Sequence, residues 1–314
     1  MKTIFLYLLI VFTLNSFAQT IGKISITIDD LPFRTKYPLS VEKEKKLNIQ
    51  LLEALKKHSA TAIGFVNESR LYTNNKIDSN RVKILEKWLT YGMDLGNHTK
   101  NHIDYNTHSI NDYGKDILDG QNITNQLLKK YNCKVKYFRH PFLHRGNSKE
   151  KIDSLASFLK INNLIEAPVT IDNSDWIFAQ AYDSLILNKD TEIMKKIGKE
   201  YLSYMEKKLK YFQKQCDTIF KRQINQVLIL HVNSINADYL DQLLTIYENN
   251  GYSFISLDEA LKDKIYQTED KFYQGAGITW IHRWAISQKV LTAVFAGEPL
   301  TPTYIMKLAG VENE

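Results

Sequence analysis

The sequence predicts an α/β fold whose mainly parallel sheet of about seven strands closes into a (β/α) barrel. Three observations lead there. Apolar runs of strand length alternate with amphipathic helical patterns as far as about residue 260, the order that builds βαβ units. Seven such runs suit a barrel better than an open, doubly wound sheet. Polar residues capable of chemistry also follow one strand after another, where the βα loops of a barrel converge on a single face.

In chain order, residues 1–18 read as an export signal. Lys2 supplies a positive start, Ile4 to Leu14 are nearly all apolar, and Ser16-Phe17-Ala18 has the small-x-small form of a cleavage site. The apolar run is shorter than the roughly 20 residues that span a bilayer, so removal is expected and stable membrane insertion is not. The mature chain is then periplasmic or secreted. Strands are expected at Ile24–Ile28, Thr61–Val66, Met93–Gly96, Val135–Phe138, Pro168–Ile171, Val227–Leu230 and Tyr252–Ser256. Helices are expected at Val41–Lys57, Arg81–Tyr91, Asp112–Lys130, Lys149–Lys160 and Tyr239–Asn249. The first carries Leu47, Leu51, Leu52 and Leu55 on one stripe. From about Ala181 to Arg222 a Lys-rich stretch reads as a helical insertion decorating the outside. Residues 19–262 would form the catalytic domain and 263–314 a C-terminal appendage folded onto it.

Composition narrows the partners. The formal net charge of +6 is spread over many lysines, which fits a solvated surface; attraction to an anionic polymer is the sharper reading. No basic–aromatic motif for nucleic acid is present. Cys133 and Cys216 are the only cysteines, and spacing alone leaves their pairing open.

Two short fragments carry most of the chemistry. Asp29-Asp30 ends the first apolar run, and His98-x-x-x-His102 follows the third. One carboxylate and two imidazoles make a ligand set that leaves room on a cation for water and substrate, which points to a metal-dependent hydrolase. Arg139, Asp175 and His231 follow the fourth, fifth and sixth strands. Each has a plainer reading alone: paired aspartates cap helices, and a histidine ending an apolar strand often sits in a core. Thr99 stands where a His-Glu-x-x-His metalloprotease helix needs glutamate, which removes that reading. Their order at successive strand ends favours a site.

Together these fragments resemble the ordered motifs of the polysaccharide deacetylases with the NodB homology domain, carbohydrate esterase family four. Thr27-Ile28-Asp29-Asp30 is similar to Thr-Phe-Asp-Asp, and His98-Thr99-Lys100-Asn101-His102 to His-Ser/Thr-x-x-His. Arg139-His140-Pro141-Phe142 resembles Arg-x-Pro-Tyr, Asp172-Asn173-Ser174-Asp175-Trp176 resembles Asp-x-x-Asp-Trp, and Leu228-Ile229-Leu230-His231 resembles Leu-x-x-His. The departures, Ile28 for Phe and Phe142 for Tyr, touch no titrating group.

The resemblance implies a distorted (β/α) barrel and metal-dependent removal of acetyl groups from sugars. It implies that Asp30, His98 and His102 hold zinc, with cobalt or nickel as substitutes. Asp29 would be the base that activates water, oriented and kept acidic by Arg139. His231 would protonate the departing amine, with Asp175 fixing its tautomer. Pro141, Phe142 and Trp176 would line the substrate site, Phe142 offering its backbone N–H to the oxyanion. In the loop Leu31–Ser40, Phe33, Arg34 and Tyr37 are further substrate-contact candidates, whereas Trp280 and Trp284, at helical spacing, read as core packing or a sugar platform. The expected activity is removal of N-acetyl groups from peptidoglycan or another N-acetylglucosamine polymer. The rivals are an esterase for O-acetylated polysaccharide such as acetylxylan and a silent glycan-binding barrel.

Overall fold

The computed structural model describes residues 21–186, 190–290 and 296–314; the export-signal expectation lies outside them. Among the described residues no helix is long and apolar enough to cross a membrane. The described residues form nine strands: β1 (Gly22–Leu31), β2 (Ala62–Val66), β3 (Tyr72–Thr73), β4 (Lys76–Ile77), β5 (Asp94–Asn97), β6 (Tyr137–Phe138), β7 (Ile165–Glu166), β8 (Gln226–His231) and β9 (Tyr252–Phe254). β3 and β4 form a small antiparallel hairpin, and the other seven make one sheet in the order β7-β6-β5-β2-β1-β8, with β9 also beside β1. Every pairing in that sheet is parallel. β1 is its centre, and Ile24, Ile26, Thr27 and Ile28 are fully buried, as a strand covered on both faces requires.

The predicted strand at Pro168–Ile171 is an irregular segment instead. Pro168 has no N–H to give a ladder. The regular pairing moves upstream to Ile165–Glu166, while Ala167 N–H donates to Phe138 O at 2.8 Å and Ile171 bridges Leu228. Residues 165–171 thereby tie β6 to β8 and close the distorted barrel.

Around the sheet lie α1 (Val41–Lys57), α2 (Ser79–Thr90), α3 (Ile110–Asp119), α4 (Asn122–Lys129), α5 (Lys149–Ile161), α6 (Asp175–Ile186), α7 (Thr191–Phe220) and α8 (Ser234–Asn249). Ser40 caps α1 by accepting from Lys43 N–H, and Leu47, Leu51, Leu52 and Leu55 are buried as the stripe predicts. The single helix expected over Asp112–Lys130 is broken at Gly120, where a Cβ would stand 2.5 Å from Lys100 N. Nor is the Ala181–Arg222 stretch outer decoration. Ile197, Tyr201, Met205, Leu209, Phe212 and Cys216, spaced on one face of α7, are buried in the main core.

Beyond residue 256 come α9 (Leu257–Ala260), α10 (Trp280–Ser287) and α11 (Thr303–Ala309). Trp280 and Trp284 are 4% and 1% exposed, so they pack the core and offer no sugar platform. Cys133 is exposed and Cys216 buried, and both are free thiols.

Candidate active site

The register of the central strands assembles the site. In the β1–β8 ladder Asp29 lies opposite His231, and Val232 N–H donates to Asp29 O at 3.1 Å. Asp30 follows in left-handed backbone, φ 70°, which turns its side chain away from that of Asp29. His98 follows β5 directly and Arg139 follows β6. His98-x-x-x-His102 is a loop and not a helix: Thr99 and His102 have φ of 61° and 55°, and these turns bring the two rings to 4.9 Å between centroids. Strained non-glycine residues gather here, Phe142 (φ 57°) among them.

Asp30, His98 and His102 offer ligand atoms that all lie within 4.8 Å of one another. Asp30 Oδ1 is 3.6 Å from His102 Nε2 and 3.9 Å from His98 Nε2, and it is buried without a hydrogen-bond partner. An orphaned carboxylate oxygen facing two imidazole nitrogens fits a divalent cation of the zinc type. Asp30 Oδ2 takes Arg34 Nη1 at 2.9 Å, and Arg70 stands 3.8 Å from Oδ1. Burial alone would raise the Asp30 pKa, but Arg34, His102 and Arg70 hold it well below the usual carboxylate range. Burial, with help from His102, pushes His98 well below 6.5; burial also lowers His102 against the pull of Asp30. Both rings are therefore neutral, the form that binds metal.

Asp29 sits 3.7 Å from His98 Nε2 and 3.4 Å from Arg139 Nη1. The expectation that Arg139 keeps this carboxyl acidic is overturned. Burial outweighs the guanidinium and pushes Asp29 up to about 6. Arg139 is itself fully buried and shared: Nε donates to Ala167 O at 2.9 Å, Nη2 to Thr27 Oγ1 at 2.9 Å, and its plane lies over Phe65. One guanidinium spread over three acceptors cannot offset the loss of water around Asp29.

His231 is held by Asp175 at two points. Its Nδ1 lies 2.7 Å from Asp175 Oδ1, and its N–H donates to Asp175 Oδ2 at 2.8 Å. Burial would lower the ring's pKa, but the charge and hydrogen bond of Asp175 raise it above 6.5 overall. Asn233 and Asn236, at the start of α8, also donate to Asp175 Oδ2, at 3.2 and 2.6 Å. Sequence reasoning missed these two asparagines, although Asn233 is a recognisable helix cap three residues before Asn236.

The lining residues divide. Pro141 is buried, Phe142 is 53% exposed with its ring 4.6 Å from that of His102, and Trp176 is half-buried. Phe33 is 5% exposed and lies in the core, so it is removed as a substrate contact; Arg34 is engaged with Asp30. The C-terminal segment braces this side. A Cβ on Gly277 would stand 2.0 Å from Phe142 O, and Asn106 Nδ2 donates to Gly275 O at 2.7 Å.

Residues 18–160 match the sequence model of the family described as polysaccharide deacetylase. They belong to that family. Three of the five motif-like fragments lie inside the match; Asp172–Trp176 and Leu228–His231 lie beyond it and reach the same site through the β1–β8 ladder. No curated protein matches the chain. Among solved structures, this chain is similar to peptidoglycan deacetylase PdaC from Bacillus subtilis (20% identity, 77% of this chain and 92% of that one, TM-score 0.46). It is also similar to a family 4 acetyl xylan esterase from Clostridium thermocellum in complex with a cobalt ion (18%, 77% and 91%, 0.47). A CE4 family pseudoenzyme from Bacillus anthracis is a third (15%, 77% and 66%, 0.46).

Proposed function

We propose that this protein is an exported, metal-dependent hydrolase that removes N-acetyl groups from a glycan, peptidoglycan or another N-acetylglucosamine polymer, with residues 19–262 as its catalytic unit. The observation that carries the reading is Asp29 and His231 opposite each other on adjacent strands, one a buried carboxyl with an oxygen that no hydrogen bond claims, the other a histidine whose ring nitrogen is held by Asp175, which raises its pKa. Amide hydrolysis needs both a base for water and an acid for the leaving amine.

Asp30, His98 and His102 would hold the cation, zinc by ligand type with cobalt or nickel able to replace it. When bound, such an ion supplies Lewis acidity at the acetyl carbonyl and makes water a better nucleophile at neutral pH. The chain's residues do the rest. Arg139 orients Asp29, which takes the proton of the attacking water. The backbone N–H of Phe142 donates to the oxyanion as the carbonyl carbon becomes tetrahedral. His231 then gives its proton to the amide nitrogen, the C–N bond breaks, and acetate and a free amine leave. Pro141 and Trp176 shape the acetyl side of the site.

Acetate release from chitooligosaccharides, peptidoglycan and acetylxylan, compared with a chelated control and Asp29→Asn, tests the reading. His231→Ala separates it from an O-acetyl esterase, because an alkoxide leaves with less help than an amine. If the variant loses N-acetyl turnover and O-acetyl turnover alike, the amidase reading is supported only when the wild type prefers the amide. Retained O-acetyl turnover on the preferred substrate would show an esterase. No acetate from any of the three, with zinc or cobalt added, would leave a glycan-binding barrel.

A further inference from the structure

Helix α7 lies beyond the matched stretch of residues 18–160, and none of the five motif-like fragments falls within it. Two of its tyrosines nevertheless close on Asp175. Tyr201 and Tyr204 stand one helical turn apart, and both rings pack on Phe178 of α6, at 5.5 and 5.0 Å between centroids. The Tyr204 hydroxyl accepts the N–H of Ser174, the residue before Asp175, at 3.1 Å. Tyr201 reaches the carboxylate from the other side. It is fully buried, and its hydroxyl donates to Asn236 Oδ1 at 2.5 Å. From the same amide, Asn236 Nδ2 donates to Asp175 Oδ2 at 2.6 Å and to His231 O at 2.8 Å.

The direction of each bond in this chain is set by chemistry. A carboxylate and a backbone carbonyl only accept, so the amide nitrogen faces them and the amide oxygen faces Tyr201. A bond accepted at the amide oxygen polarises the N–H groups of the same amide and strengthens the bonds they donate. Asp175 Oδ2 takes three N–H groups, from His231, Asn233 and Asn236, and the bond from Asn236 is the shortest. The more charge these donors take up, the less is left for the ring of His231, which Asp175 holds through its other oxygen.

Resting on the deacetylase reading, we propose that Tyr201 is a positioning residue for the acid: through the amide of Asn236 it sets how tightly Asp175 holds the His231 proton. The helix that the sequence presents as an insertion then belongs to the proton-delivering apparatus. The other charged groups facing His231 are Asp29 and Asp30 on β1, Arg34 on the loop after it, His102 after β5 and Asp172 before α6. Loss of the Tyr201 hydroxyl alters none of them.

Tyr201→Phe keeps the buried ring and deletes only that hydroxyl, so a role in packing alone would leave His231 as it is. With a weaker grip from Asn236, Asp175 should hold the His231 proton more tightly. The ring's titration midpoint is read by NMR of zinc-loaded protein with isotope-labelled histidine, and assigned by its loss in His231→Gln. It should move upward by about half a pH unit in Tyr201→Phe. The alkaline limb of kcat/KM should move with it, kcat should fall about threefold, and KM should stay unchanged. Asn236→Ala removes the donor itself and should move the midpoint further in the same direction. Tyr201→Phe added to that variant should have no extra effect. A midpoint unmoved in Tyr201→Phe, or moved equally with and without Asn236, overturns the proposal. Should Tyr201→Phe not fold, an unmoved midpoint in Asn236→Ala does the same. The midpoint is read without substrate. Its shift in a protein that releases no acetate would sink the deacetylase reading and keep the Tyr201 relay; acetate release with no shift does the reverse.

Discussion

His98 donates from Nδ1 to the backbone carbonyl oxygen of Arg139, 2.8 Å away. A carbonyl can only accept, so the proton is on Nδ1 and the lone pair is on Nε2, the nitrogen nearest Asp30. The residue that orients Asp29 with its side chain thus sets the tautomer of His98 with its backbone.

The first consequence is a specific cation site. Zinc should bind with one-to-one stoichiometry by calorimetry and raise the thermal midpoint, a chelator should reverse both, and stabilisation should reach about 2.7 kcal/mol at a hundredfold excess over Kd. Asp30→Asn, His98→Ala and His102→Ala should each abolish stoichiometric binding. Retained tight binding in all three would remove the site.

The pH profile follows from Asp29 and His231. The proposed mechanism needs Asp29 ionised and His231 protonated. Asp29 is pushed up to about 6 by burial, so kcat/KM should rise with pH through an acid limb at about 6 or lower, a bound cation adding to the pull of Arg139. His231 is raised above 6.5, so the alkaline limb should lie above that value. The limbs are properties of the pair and are read from the complete bell-shaped curve.

Asp175→Asn probes chiefly the alkaline limb, because Asp175 is the main support of His231 and only a minor influence on Asp29. Its charge and hydrogen bond are what raise His231, so their loss should move that limb to lower pH. The kcat should fall about 10²- to 10⁴-fold, the usual worth of a positioned acid. Zinc affinity should not change, since Asp175 makes no contact with Asp30, His98 or His102 among the bonds described.

Gly277→Ala tests the brace on the Phe142 loop. The new Cβ would meet Phe142 O at 2.0 Å, so the loop must shift by about 1 Å. We expect kcat to drop about tenfold or more with zinc affinity retained. Unchanged kcat would show that the Phe142 N–H plays no part in turnover.

Gly120→Ala should do the opposite. Its Cβ would press on Lys100 N at 2.5 Å and on Thr99 C at 2.6 Å, inside the His98–His102 loop. Zinc Kd should rise while the spacing of Asp29 and His231, set by the β1–β8 ladder, stays as it is.

Much of this was legible in the sequence because barrels place chemistry at strand ends. Ile24–Ile28 and Val227–Leu230 gave two adjacent strands, and Asp29 and His231 at their ends proved to be in register. Other features depend on contacts between distant segments. Nothing around Asp29 signals that burial beats Arg139, because Ala167 and Thr27 must first claim that guanidinium's other nitrogens. The apolar spacing of α7 was visible, yet its lysines masked how deeply that face is buried. Gly120 and Gly277 carry no local signal at all, since each is fixed by a backbone that arrives from elsewhere.

The pairing of Asp29 with His231 along a buried parallel ladder has a corollary. The separation of these two groups belongs to the least alterable part of the molecule, the hydrogen-bonded middle of the sheet, where a one-residue slip would exchange the two buried faces of β1 and take Asp29 away from His231. The loop bearing Arg34 and the segment bearing Gly277 are held to the site by their own contacts, with Asp30 and Phe142, and not by the ladder. Changes at the solvent-facing positions of those segments, Lys36 among them, leave the distance between Asp29 and His231 as the ladder sets it.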